Sequence, residues 1–189
     1  MKKTRTSVIT LILLISQISF AANEKGTLPE VRLDSKNEDK NQETAFKSEV
    51  MITKAENKAI ESLIKIIQKK KNTPEEPDLL FRLAELYMRR AKSGRFFEMY
   101  DKADKKLLQT GVQTQKSQQA LKNAIVVYNR IESNYPKYKD LDAVYFNNAM
   151  AHQQTKQIER AKTLYNNLVS QFPKSPLVPD ALLENGDIS

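Results

Sequence analysis

The sequence predicts an all-α fold, built as an array of antiparallel helix hairpins, one of them elongated. Two observations lead to this prediction. From Ala45 onward, apolar residues recur at spacings of three and four, which is the period of a helix buried on one side. In addition, 124-AIVVYNRIESNYPK-137 returns 37 residues later as 161-AKTLYNNLVSQFPK-174, with Ala, Tyr, Pro and Lys at the same offsets. Self-similarity at such a period is typical of proteins that stack one helical unit on the next.

The N-terminus has the features of a secretory signal peptide. Lys2, Lys3 and Arg5 precede the apolar run 8-VITLILLI-15, which is too short to span a bilayer, and Ser19 and Ala21 are small residues at the two positions that a signal peptidase inspects. We therefore expect residues 1–21 to be a bacterial export signal cleaved after Ala21, with an uncleaved anchor helix as the alternative. The sequence has no cysteine, which excludes disulfides, thiolate metal sites and a lipid anchor on an N-terminal cysteine. The expected location is the periplasm, and association with the outer membrane is a second option.

Residues 22–44 are polar and carry few large apolar side chains. Such a segment buries too little surface to offset its ordering entropy, so a disordered linker is expected. The whole chain has 31 basic and 23 acidic residues, and loss of residues 1–21 leaves 28 basic residues against the same 23. This moderate positive charge favours anionic envelope polymers or acidic protein faces over nucleic acid, although a solvated basic surface without a partner also explains it.

The first helix is expected over residues 45–72 and is interpreted as an N-terminal cap of the array. Pro74 and Pro77 cannot continue a helix, so it should end near Asn72. Its apolar stripe consists of Ile60, Leu63, Ile64 and Ile67.

Three repeat units are expected to follow. They cover residues 78–140, 142–175 and 178–189, and the last is interpreted as the start of a truncated unit. In the first two, the second helix ends at an aromatic–proline pair. The β-branched residues within 124–137 are tolerated because packing outweighs a propensity difference of about half a kcal/mol per residue.

These units resemble the tetratricopeptide-repeat family. Residues 142–175 are 34 long and fit its pattern without a gap, and the upstream copy and 181-ALLENG-186 fit it in part. Two departures are Asn148, where Leu is usual, and Lys156, where Gly is common at the turn between the helices. The resemblance implies a right-handed superhelix. The matching positions are Tyr145, Ala149, His152, Ala161, Tyr165 and Pro173, and upstream Leu80, Leu83, Ala84, Tyr87, Ala124, Tyr128 and Pro136.

The upstream copy contains an insertion at about 92–120. Tyr87 and Ala124 are 37 positions apart, whereas their counterparts His152 and Ala161 are nine apart. The simplest solution lengthens both helices of the hairpin by about 14 residues, or some four turns each. That solution puts the turn near 104–107, yet the best turn signal is Thr110-Gly111, and Ser93-Gly94 is a candidate break. The position of the turn stays open.

The amino-acid sequences of these segments are also similar to a narrower group, the exported repeat proteins of cell envelopes in gliding and predatory bacteria. They are more loosely similar to the repeat region of the Tol–Pal-associated division coordinator and to the helical outer-membrane-assembly lipoproteins. These resemblances imply a non-catalytic protein–protein interaction scaffold in envelope assembly, division or motility. The alternatives are the N-terminal helical domain of a periplasmic peptidoglycan-cleaving lytic transglycosylase and a direct binder of anionic envelope polymer or lipid.

No catalytic, cofactor-binding or metal site is predicted, and the chain is not expected to be an enzyme. The single histidine, His152, lacks partners for catalysis and occupies an aromatic packing position. The chain has four glycines and no glycine-rich phosphate loop. The acid pairs Glu75/Glu76 and Asp140/Asp142 precede predicted helices, where negative charge is favourable without any acid–base role.

Two surfaces are candidates for binding. The inner groove of such repeats usually binds peptides, which makes a protein partner in the envelope the main expectation; its identity stays open. A basic patch could add peripheral contact with an anionic polymer or membrane, although some of its charges could instead pair with nearby acids along the helix. The candidate groove residues are Phe81, Glu85, Met88, Phe146, Met150 and Gln153, and the candidate basic patch is Lys69, Lys70, Lys71, Arg89, Arg90 and Arg95.

Overall fold

A computed structural model describes residues 35–100 and 103–188. The predicted signal peptide and residues 22–34 of the predicted linker lie outside this part of the chain. The described residues are helical and contain no strand, which confirms the all-α class and the hairpin array. The right-handed superhelix stays a prediction. The helices are α1 (Ser35–Lys69), α2 (Glu76–Met99), α3 (Ala103–Thr110), α4 (Ser117–Asn134), α5 (Leu141–Gln154), α6 (Ile158–Gln171) and α7 (Val178–Asp187).

The predicted linker is wrong for residues 35–44, because α1 already begins at Ser35. Lysine, glutamate and glutamine are good helix formers, and extending an existing helix avoids the cost of nucleating a new one. Low hydrophobicity therefore did not imply disorder here. Residues 42–189 form one compact unit, and residues 35–41 belong to the other unit.

Helix α1 packs its side chains against α2, and α2 pairs with α4 as the first hairpin of the array. Helix α1 ends at Lys69, close to the predicted stop, and Asn72 turns the chain with φ of 62°. Pro77 then occupies the first turn of α2, where its missing N–H costs nothing. Ile60 and Ile67 of α1 share one buried core with the leucines of α2.

The insertion is built differently from the equal lengthening predicted. Helix α2 ends 12 residues after Tyr87, whereas α5 ends two residues after the matching His152, so α2 is ten residues longer. Helix α4 starts seven residues before Ala124, whereas α6 starts three before Ala161, so α4 gains only four. The rest of the insertion contains α3, which ends before Gly111 at φ of 63°. Equal lengthening was therefore wrong, and Thr110-Gly111 does mark a turn.

No break occurs at Ser93-Gly94, because α2 passes through both residues. A β-carbon at Gly94 would lie 2.6 Å from the carbonyl oxygen of Gln115 and 2.8 Å from the backbone nitrogen of Ser117. Four residues on, the Glu98 carboxylate accepts the Ser117 N–H at 2.8 Å. Gly94 thus gives the connecting segment room to touch α2, and Glu98 caps the start of α4.

The repeated segments form the core of the array. Ala124, Tyr128 and Ile131 of α4 are fully buried, as are their counterparts Ala161, Tyr165 and Leu168 of α6. The Tyr165 hydroxyl near the middle of α6 donates to Gln153 near the end of α5 at 2.9 Å, as expected for antiparallel neighbours. Ala181 of α7 is also fully buried, so α7 packs onto α6.

Lys156 stands at the turn between α5 and α6 with φ of 62°, in the left-handed region that glycine adopts without a steric penalty. We expect Lys156→Gly to raise the free energy of unfolding by about 1 kcal/mol, since a side chain in this region costs roughly 1–2 kcal/mol. Urea denaturation measures the change. Lys137→Gly, at an exposed turn lysine outside the positive-φ region, is the control and should not stabilise. Equal effects of the two substitutions would contradict the assignment.

Candidate binding groove

A groove of about 470 Å³ opens between the first helices of two successive units, α2 and α5. From α2 it is lined by Glu85, Met88 and Arg89, which follow helical spacing on one face. From α5 it is lined by Asn147 and Met150, again one turn apart. Tyr128 of α4 completes the lining, so the groove combines two methionines with one acidic, one basic and one amide side chain.

The Tyr128 side chain is fully buried, and its hydroxyl has no hydrogen-bond partner among the described residues. Burial raises the pKa of Tyr128, and the Glu85 charge adds to the rise. The hydroxyl therefore keeps its proton and remains a donor beside the groove. A buried polar group without a partner costs stability, so this hydroxyl departs from the usual rule of satisfied interiors.

Three of the six groove residues predicted from the sequence line this groove, namely Glu85, Met88 and Met150. Phe81 and Phe146 pack into the walls instead: the ring centroids of Phe81 and Tyr128 are 6.2 Å apart, and those of Phe146 and Tyr165 are 5.8 Å apart. The Gln153 side-chain oxygen accepts a hydrogen bond from the Tyr165 hydroxyl, and its nitrogen donates one to Glu184 at 3.0 Å, so both ends of the amide are engaged.

The sequence-based prediction missed Arg89, Tyr128 and Asn147 as groove residues. Arg89 lies four positions after Glu85, and Asn147 lies three before Met150, so helical spacing could have identified both. Tyr128 was assigned to hairpin packing, and it does pack there while also reaching the groove.

The predicted basic patch is not one surface. Arg90 is buried, with 6% of its surface exposed, which contradicts its assignment to the patch. Its guanidinium donates to Asn57 and lies 3.7 Å from the buried Glu56 carboxylate. Arg90 is buried because it points toward α1. A buried charge needs partners there, and Asn57 and Glu56 supply them.

The other patch residues are also dispersed. Lys70 lies 3.8 Å from Glu75, and Arg95 donates to Gln154 at 2.7 Å. Lys71 lines a separate cavity of about 660 Å³, which also includes Arg130 and Tyr135. Arg89 belongs to the groove. Lys69, Lys70 and Lys71 remain together at the end of α1, without Arg89, Arg90 or Arg95.

A further cavity of about 510 Å³ lies between the α1–α2 and α4–α5 loops, and the sequence reasoning did not find it. The aromatic–proline pair was interpreted as a helix stop with an aromatic packing anchor, yet Tyr135 and Pro136 also line this cavity, together with Pro74, Pro77 and Tyr138. Proline-rich turns on two successive units were the available signal.

His152 is 5% exposed, in keeping with the packing position predicted for it. Its Nδ1 lies 3.1 Å from Gln157 Oε1, while its Nε2 has no partner within the described residues. Burial lowers the pKa of His152, and the Gln157 hydrogen bond opposes this only in part. The neutral ring is therefore the form that the folded chain accommodates.

The stability contributed by neutral His152 is fully present above its ordinary pKa of 6.5, and it is lost as the pH falls from there toward the lowered value. When the pH is lowered from about 6.5 to about 5, we expect the free energy of unfolding to fall less in His152→Phe than in the parent chain. The reason is that phenylalanine has no group that is protonated more readily in the unfolded chain. Urea denaturation at several pH values measures this. Parallel pH profiles for the two chains would contradict the prediction.

Across residues 35–100 and 103–188, no group of three or more His, Cys, Asp or Glu side chains is placed to hold a metal ion. Within the same part of the chain, no helix combines the length and apolar character needed to cross a bilayer. No protein-family model matches the chain, and no curated protein matches it either. The functional proposal therefore depends on the residues and their geometry.

Proposed function

We propose that the chain is a non-catalytic protein–protein interaction scaffold of the tetratricopeptide type, exported to the bacterial cell envelope. The observation that carries the proposal is the open groove between α2 and α5, where an apolar centre is bordered by opposite charges. Stacked hairpins bury a continuous core and so hold the two walls of such a groove in fixed positions. A fixed groove lowers the entropy cost of binding a partner segment.

The lining favours a peptide segment over a small polar ligand. Met88 and Met150 offer adaptable apolar contacts for an inserted side chain, since methionine fills irregular gaps. Glu85 and Arg89 can pair with charged or amide groups at the rim of such a segment. Asn147 can donate to and accept from an extended backbone.

The envelope location and the tetratricopeptide identity are supported by the sequence. The basic start, short apolar run and small residues up to Ala21 support export. The 34-residue match over residues 142–175 supports the repeat identity, as does the left-handed backbone at Lys156, where the repeat commonly has glycine.

Site-specific photo-crosslinking tests the proposal. A photoreactive phenylalanine analogue replaces Met150 in the groove, and in a matched chain it replaces Val126, which is 68% exposed on α4 and outside the groove. We expect irradiation of producing cells to give a discrete protein adduct at position 150 that is absent at position 126. Mass spectrometry identifies the partner and its crosslinked segment.

The groove assignment is checked with a second pair of chains. Met88→Asp should suppress the adduct at position 150, because a charge in the apolar centre would need a partner. An adduct of equal yield at positions 150 and 126, or one insensitive to Met88→Asp, would count against the groove. Release of soluble fragments from peptidoglycan by the purified chain would instead favour the enzyme alternative.

A further inference from the structure

Helix α1 carries two heptad seams. The inner seam faces α2, and its members follow alternating spacings of four and three residues. A second series, the outer seam, has alternating spacings of three and four residues over three heptads. It lies on a different face of α1, roughly 140° around the helix axis from the inner seam. The inner seam is Phe46, Val50, Thr53, Asn57, Ile60, Ile64 and Ile67, and the outer seam is Ala45, Ser48, Ile52, Ala55, Ala59, Ser62 and Ile66.

The inner seam is occupied at its members other than Ile64, which is 36% exposed. The ring centroids of Phe46 and Phe97 are 5.7 Å apart, Asn57 accepts from Arg90, and Ile60 and Ile67 are buried in the core shared with α2. Contacts with α2 thus account for one side of α1.

The outer seam is exposed along nearly its whole length. Ile52 is 48% exposed and Ile66 is 44% exposed, and the neighbouring Met51 is 72% exposed. Ala59 is half-buried, and the other members are exposed. No outer-seam residue is charged, although the polar residues of α1 are largely lysine and glutamate. An uncharged heptad series on a solvated helix is typical of a surface that packs against a second helix.

A row of lysines borders one edge of this seam. They are all exposed, and by helical geometry Lys58 and Lys65 hold positions that flank a coiled-coil partner, with Lys47 and Lys54 further round on the same side. Lys47 pairs with Glu43 at 3.6 Å, while the other three make no ion pair within the described residues. Lys69 follows Ile66 at the next position of the outer seam and ends its uncharged run.

We propose that the outer seam of α1 docks an acidic amphipathic helix of another protein. Ala55, Ala59 and Ser62 let the partner backbone approach closely, while Ile52 and Ile66 supply apolar contacts. Acidic residues beside the partner's apolar stripe would face the lysine row. The seam spans about 33 Å, so it accommodates a partner helix of roughly 20 residues.

Charge argues against a second copy of this chain as the occupant. In an antiparallel pair the two lysine rows would face each other. In a parallel pair Lys65 would face Lys70 of the other copy. Like charges in these places oppose association.

Residue size argues against a membrane surface. Helices that lie in the bilayer interface bury large apolar side chains such as Trp, Phe and Leu. Most outer-seam members are alanine or serine, which add little apolar area but favour close helix packing. The seam shares none of the groove-lining residues, so this proposal stands or fails separately from the groove.

The experiment uses the full chain and two synthetic heptad peptides of about 28 residues, with Leu at both core positions and either Glu or Lys at both flanking positions. We expect the Glu peptide to bind with a Kd on the order of ten micromolar by fluorescence anisotropy, and the Lys peptide to bind at least about tenfold more weakly. Ile52→Glu/Ile66→Glu should weaken binding of the Glu peptide by at least about tenfold. Val126→Glu, at a more exposed apolar position on α4, is the control and should leave binding unchanged.

Charge reversal gives the sharpest check. Lys58→Glu/Lys65→Glu should exchange the preference, so that the Lys peptide becomes the tighter ligand. Failure of the Glu peptide to bind, or binding that ignores the seam and lysine substitutions, would overturn the proposal. Sedimentation that shows an Ile52-dependent dimer would also overturn it, in favour of self-association. Binding to phosphatidylglycerol vesicles but not to the Glu peptide would overturn it in favour of a membrane surface.

Discussion

Replacing Gly94 by alanine is expected to lower the free energy of unfolding by about 2–3 kcal/mol, although alanine is the better helix former. The added carbon would meet backbone atoms on the connecting segment, the Gln115 carbonyl oxygen at 2.6 Å and the Ser117 nitrogen at 2.8 Å. Backbone cannot rotate away as a flexible side chain can. Either α2 shifts or the segment does, and a shift of Ser117 weakens its bond to Glu98.

Gly186→Ala provides the matched control, because Gly186 also lies in a helix and has nothing within 4 Å of its β-carbon position. That substitution should stabilise by up to about 1 kcal/mol through helix propensity alone. Urea denaturation of the three chains gives both differences. If Gly94→Ala stabilised as much as Gly186→Ala, the close approach at Gly94 would be wrong.

Replacing Glu76 by glutamine is expected to have an effect at least as large, a loss of about 3 kcal/mol, the lower end of the cost of removing one partner of a buried ion pair, because the Arg130 side chain is 37% exposed. The Glu76 side chain is fully buried, and Arg130 pairs with it. The Tyr135 hydroxyl and the Asn72 N–H each donate to its carboxylate at 2.5 Å. Glu76 thus joins the α1–α2 turn to the end of α4.

Glu75→Gln is the control, because Glu75 is exposed and its contact with Lys70 is a surface pair, which contributes little to stability. Denaturation at pH 7 compares the two variants. A loss for Glu76→Gln no larger than that for Glu75→Gln would contradict the buried network.

The pH dependence gives a second readout. Burial alone would raise the pKa of Glu76, but the hydrogen bonds from Tyr135 and Asn72, together with the Arg130 and Lys71 charges, lower it overall. A lowered carboxyl pKa contributes stability that is present above the ordinary value of 4.5 and is lost as the pH falls through the folded-state value. The acid loss of stability should therefore be shallower in Glu76→Gln than in the parent chain.

The sequence predicted the repeat units because their signals are local. Each signal depends on residues a few positions apart. These signals are the helical spacing, the packing positions Ala161 and Tyr165, and the prolines that end helices. Lys156 stands where the resembled repeat pattern commonly has glycine, and the chain adopts left-handed geometry there even without glycine.

The insertion was predicted poorly because its structure depends on distant contacts. Gly94 has the same local appearance as a helix break, and only the approach of Gln115 and Ser117 shows why it is glycine. Arg90 has the same local appearance as its exposed neighbour Arg89, but Glu56 and Asn57 draw it inside. Pairing across 33 or 34 positions leaves no local signal.

The candidate groove was half predictable for a similar reason. Glu85, Met88 and Met150 follow from the family pattern and helical spacing. The unpartnered hydroxyl of Tyr128 does not, because its surroundings come from α2, α4 and α5 together. Three-dimensional packing supplies this part of the site.

The most direct test of whether the groove binds protein is hydrogen–deuterium exchange of the chain with and without the partner segment. Crosslinking at Met150 identifies that segment. We expect added protection in peptides covering residues 81–89 and 146–153, with no change around the exposed Val126. Met88→Asp should remove that protection. Protection confined to other helices, or unchanged in Met88→Asp, would contradict protein binding in the groove.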